Sequence, residues 1–267
     1  MLHTEIISTP LQVYDTTTTE LLFHYTLQLA DTSFILAHRL SEWCGHGPIL
    51  EQDMAMSNIA LDLLGEARSL YQYAAELEGK GRSEDDLAFL RVATDYKNPL
   101  LVEHSNGNFA DTVVRQFIFD TFHYYHLQQL KNCTDDRLAA IAEKSFKEAS
   151  YHIKWSSEWI IRLGDGTDES KQKVEAAIER LWPYSGELFA MTATEKALFD
   201  LSIIPDYALI KMQWNVHLAK VIEAATLSVP ANVFMQTGGK EGRHTEELGF
   251  VLAELQYMQR TYPGLEW

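Results

Sequence analysis

Four carboxylates sit at spaced positions on stretches that read as helices: Asp31, Asp62, Asp120 and Glu148. His123 stands three residues after Asp120, and His152 stands four after Glu148. Asp31 shares a helical stripe with Leu27 and Phe34, Asp62 with Ile59, and Asp120 with Phe117, so each points toward a core. A carboxylate there is costly unless it is paired or coordinated. Four-helix di-iron proteins supply a template: a Glu from each of two helices and a Glu-x-x-His from each of the other two. The i, i+3 step puts both side chains of that motif on one face. From Asp31 to Asp62 is 31 residues, and from Asp120 to Glu148 is 28, about one long helix up and one back.

The ligand types depart from the template. Asp62-Leu63-Leu64-Gly65 has glycine where the histidine belongs. Glu148-Ala149-Ser150-Tyr151 has tyrosine there, with His152 one position late. Three of the four acids are Asp, and His123 follows the wrong acid. Three readings stay open: a di-metal centre, a single metal held by Asp120, His123, Glu148 and His152, or a polar network bonded to Arg, Tyr or His. Arg39 and Arg68 are candidate cations for such a network. Arg115, five residues before Asp120, is a poor same-face partner.

The elements that must carry these residues are helices. Helical periodicity predicts segments at 20–43, 49–78, 84–94, 112–131, 136–163, 169–190, 206–227 and 245–261. Thr16 to Thr19, Ser83, Asp111 and Asp135 offer N-caps, and Asp168 starts the helix near 169. Pro183 disturbs that helix, and Pro205 and Pro230 bracket the next-to-last. No strand alternation occurs. The expectation is an all-α chain, one domain over 1–267, with a long bundle at about 20–163 and further helices at about 168–261. An aromatic run, Phe117, Phe119, Phe122, Tyr124 and Tyr125, makes the third long helix apolar round most of its girth. Such a helix is either central or part of an interface.

Composition narrows the functions. The 267 residues carry 22 Lys and Arg against 38 Asp and Glu, a net charge of −16. Nucleic acid and anionic membrane surfaces are poor partners for such a chain. Two cysteines, Cys44 and Cys133, suffice for neither a disulfide framework nor a thiolate cage. No signal peptide and no apolar run of membrane length is visible, so a cytoplasmic location is expected and the sequon at Asn132 is accidental. The glycine-rich segment 238–244 precedes a helix without the spacing of a phosphate loop. It reads as a surface turn, or as a loop whose Lys240 and Arg243 contact a partner or a CoA-like ligand.

Seven separated motifs then carry a resemblance. They are Glu42-Trp43-Cys44-Gly45-His46, the run from Asn58 to Gly65, the run from Asn106 to Thr112, and Lys147-Glu148-Ala149-Ser150-Tyr151-His152. Leu163-Gly164-Asp165-Gly166-Thr167, Thr237-Gly238-Gly239-Lys240 and Pro263-Gly264-Leu265-Glu266-Trp267 complete them. In this order they resemble the family of structural subunits of the bacterial phenylacetyl-CoA epoxidases, also called phenylacetate-CoA oxygenases. That resemblance implies a ferritin-like fold and a structural role, with a degenerate di-iron site at Asp31, Asp62, Gly65, Asp120, Glu148 and Tyr151. It implies no cofactor in this chain and a tight complex with a homologous di-iron catalytic subunit. Electrons would come from NADPH through a reductase subunit carrying FAD and an iron–sulfur cluster.

Overall fold

The computed structural model describes residues 12–265. The long helices are α1 (Thr16–Ser41), α2 (Leu50–Glu78), α4 (Phe109–Leu130) and α5 (Asp136–Gly164), with the short α3 (Glu84–Phe89) after α2. Then follow α6 (Asp168–Leu181), α7 (Ala193–Asp200), α8 (Tyr207–Ala224), α9 (Glu246–Leu255) and α10 (Tyr257–Thr261). Among the described residues there is no strand. The all-α, ferritin-like reading holds.

Local chemistry sets the helix starts, and in three places it differs from the expectation. Asp15 accepts the Thr18 N–H at 2.8 Å, so α1 begins at Thr16 and the threonines form its first turn. Asn108, not Asp111, caps α4; Asp111 answers from the third position by accepting the Asn108 N–H at 2.8 Å. Thr167, not Asp168, caps α6. The expected helix over 169–190 stops at Leu181, and Pro183 is carried in the first of two short 3-10 turns. Helix α7 was not anticipated, although Thr192 and Glu195 form a complete capping box at its start. The expected last helix breaks at Gln256, whose side chain donates to the Arg91 carbonyl at 2.8 Å.

Two helices form the interior. Every residue of α1 from 25 to 37 except Leu29 is buried, and so is every residue of α4 from 110 to 123. α2 covers one side of α1, with α7 and α9 on others. α5, α6 and α8 enclose α4, which resolves the aromatic run: Phe117, Phe119 and Phe122 are core of this chain. α5 and α6 are amphipathic and lay one apolar face inward.

The glycine-rich segment is not a surface turn. A Cβ on Gly239 would collide with the Asn98 carbonyl oxygen, and Gly242 has φ +86° against the Thr94 carbonyl. Glycine permits that docking onto residues 94–100. Gly239→Ala therefore is expected to cost about 1–3 kcal/mol in chemical denaturation. Gly65, helical with open space around it, is the contrast: Gly65→Ala should stabilise by roughly 0.5–1 kcal/mol.

Candidate functional site

The centre of the bundle is a polar cluster built on α2. Its Asp62 and Glu66 lie one turn apart and share a face. From α4 come Asp120 and His123, from α5 Ser145, Glu148, His152 and Ser156, and from α1 Ser33. His123 Nε2 lies 3.0 Å from Glu66 Oε1, which also accepts the Ser33 hydroxyl at 2.8 Å. His152 Nε2 lies 3.0 Å from Asp62 Oδ2. Gln116 Nε2 donates to Asp120 Oδ1 at 3.3 Å. Each histidine thus spends one nitrogen on an α2 acid. The opposite nitrogens, His123 Nδ1 and His152 Nδ1, and Asp120 Oδ2 are buried without a partner.

The ionisation pattern follows from these contacts. Burial pushes the Glu66 carboxyl up, but His123, Ser33 and Ser145 outweigh it and hold its pKa down at about 2. Burial pushes His123 down, but Glu66 and Asp120 outweigh it and raise its pKa. The two form a buried ion pair. Asp120 has no such partner; burial raises its pKa to about 6, against the pull of His152, His123 and Arg115. Behind the cluster, burial takes His126 down to about 3, and this neutral ring meets the Tyr25 hydroxyl at 2.9 Å. A cavity of about 30 Å³ beside Ser33, Glu66, His123 and His126 has room for a water or two, not for an organic substrate.

The expected positions scatter. Asp31 does not join the cluster: both its oxygens are taken by the Tyr71 hydroxyl at 2.7 Å, the Lys97 N–H at 2.9 Å and the Arg91 guanidinium. Gly65 is half-buried, and Tyr151 points outward, half exposed. Glu148 is half-buried beside Asp62. Arg39 pairs with Glu42 and Glu247, and Arg68 pairs with Glu84 on the surface, so neither neutralises the cluster. Arg115 is buried and donates to the His104 carbonyl and to Asn106; burial lowers its pKa to about 9. Cys44 is exposed. Glu66 and Ser33 were missed, although Glu66 stands on the stripe of Ile59, Leu63 and Leu70 and was legible there.

The 238–244 loop departs most from its two readings. Lys240 is buried, with its ammonium 3.0 Å from Glu195 Oε1 and 3.2 Å from the Ala190 carbonyl. The Gly238 and Lys240 N–H groups donate to Glu187 Oε1 at 2.7 and 3.3 Å. The anion this loop holds is the chain's own Glu187. Arg243 is exposed and salt-bridged to Glu241 at 2.6 Å.

This donor set does not fit a pair of irons. The α1 acid is consumed by Arg91, a glycine stands in one histidine position, and both histidines are bound to acids. Among the described residues no three His, Cys, Asp or Glu side chains converge as metal ligands.

Removing the buried charge of Asp120 should help the fold. Its pKa is raised on folding, so stability is present at low pH and lost as pH rises from about 4 to about 6. Asp120→Asn should match the parent in urea denaturation near pH 4 and exceed it by about 2–3 kcal/mol at pH 7.5. Glu66→Gln strands His123 and should cost about 3–5 kcal/mol at pH 6 in the same measurement.

A family described as phenylacetic acid catabolic protein matches residues 8–267. A similar relative is the C subunit of the 1,2-phenylacetyl-CoA epoxidase of Escherichia coli (strain K12). The two are 48% identical over 243 residues, which cover 91% of this chain and 98% of the relative. The family match spans the chain almost end to end, and the chain belongs to the phenylacetic acid catabolic protein family.

Proposed function

We propose that this protein is the non-catalytic subunit of a multi-subunit phenylacetyl-CoA epoxidase acting in phenylacetate catabolism. The observation that carries this reading is the pairing of Asp62 with His152 and of Glu66 with His123. Side chains that would have to converge on metal are spent on each other, and they link α2 to α4 and α5 without an ion. The name of the relative, itself one subunit of an epoxidase, supports a role inside an assembly. The partner is the catalytic di-iron subunit; FAD and iron–sulfur belong to the reductase, and this chain carries no cofactor. No helix among the described residues is long and apolar enough to cross a membrane. The proposed place of work is the cytoplasm.

Under this reading the protein contributes rigidity. Interior helices α1 and α4 are fixed by buried polar links, and the outer helices present fixed surfaces to a partner. No observation favours CoA binding through Lys240, since its ammonium is already held by Glu195.

The test is direct. After anaerobic loading with ferrous iron, the purified chain should hold well below one iron per protein. With reductase and NADPH it should not turn over phenylacetyl-CoA until the catalytic subunit is added. Elemental analysis giving two irons per chain would sink the reading.

A further inference from the structure

Along α2, Leu50, Met54, Leu61 and Gly65 follow steps of four, seven and four and so form one outward stripe. Leu50, Met54 and Leu61 are 72%, 57% and 64% exposed. Across on α5, Tyr151 is 49% exposed. Gly65 carries no side chain, and nothing lies within 4 Å of where its Cβ would be, so another backbone could approach closely. Between the two helices lie two acids. Asp62 keeps 34% of its side chain exposed and gives only Oδ2 to His152. Glu148 makes no hydrogen bond or ion pair among the described residues. Burial and the neighbouring Asp62 charge raise its pKa, against a weaker pull from Lys144 and His152.

We infer that the α2/α5 face, from Leu50 to Tyr151, docks a helix of the catalytic subunit that places an arginine or lysine between Asp62 and Glu148. This rests on the proposed function, since it names where that partner sits. Charge complementarity selects the occupant. Among the described residues neither carboxylate has a lysine or arginine within ion-pair distance: Asp62 has only the His152 ring, and Lys144, one turn from Glu148, favours its charge without pairing with it. They sit within an apolar frame with an aromatic anchor, the composition of an interface hot spot. A second copy of this chain, at −16, is the poorer fit. The stripe from Leu50 to Leu61 runs about 16 Å along the helix. Small molecules prefer concave pockets, and an open face of this length suits a protein.

The experiment uses the whole chain with the catalytic subunit. Benzoylphenylalanine at position 61, irradiated in the assembled complex, should cross-link to a catalytic-subunit peptide. Glu148→Lys and, separately, Leu61→Arg should weaken association by roughly tenfold or more, with helical circular dichroism unchanged. Glu254→Lys on α9 should leave it unaltered. Parent chains that associate normally while both α2/α5 variants bind as tightly would overturn the docking face and leave the functional reading standing. Cross-links only to a second copy, or within this chain, would overturn it as well. If the parent chains do not associate at all, the functional reading falls, and the docking face with it.

Discussion

The ion pair between Glu66 and His123 is the contact on which the bundle centre depends. It ties α2 to α4 in an interior where an isolated charge would cost several kcal/mol. The neighbouring charges follow from it. With Glu66 committed, the His123 pKa is raised by Glu66 and by Asp120, which it also faces, and Ser33 of α1 and Ser145 of α5 turn toward the same Glu66 carboxylate. All four long helices therefore meet at one oxygen-rich point, as they would around metal. Here protons and hydrogen bonds carry the linkage.

The same device recurs away from the centre. Asp31 is saturated by Arg91, Tyr71 and the Lys97 amide; Glu195 by Lys240, Gln28 and Tyr207. Glu103 takes His244, Thr245 and Asn98, and Glu187 takes the amides of Leu100, Gly238 and Lys240. Each acid binds groups from segments distant in sequence. These irregular segments lack a hydrophobic period of their own, and buried carboxylates are what hold 91–103 and 238–245 against the bundle. Part of the acidic surplus is therefore internal structure and not solvated surface.

This explains which parts were legible. Long helices with a 3.6-residue period announce themselves, so α2 and α5 fell within a residue of their observed ends. Pairs on one helix face were legible too: Asp120 with His123, and the faulty motif at Gly65. Asp31 was not, because its partner Arg91 is 60 residues away, and the helix expected over 84–94 ends at Phe89, which leaves Arg91 beyond it. Lys240 read as surface since lysine is rarely buried, and nothing local signals the Glu195 that receives it. α7 is only eight residues long, too short for a periodic signal, and only its capping box marked it.

A bundle whose donor set does not fit two irons has three ways to treat the acids its helices carry. Replacing them with well-packed apolar side chains is often neutral or stabilising. Leaving them unpaired is costly, and Asp120 shows the cost in its raised pKa. Pairing them with histidine keeps the helices in one register, since His123 and His152 reach Glu66 and Asp62 only when α4 and α5 stand at set heights beside α2. Apolar contacts would tolerate a slide of α4 or α5 along α2; one directional bond from each, at 3.0 Å, does not. For a protein proposed to present its outer faces to a partner, fixed helix heights matter more than the last increment of stability. The paired polar centre meets that requirement through α2, which both histidines grip.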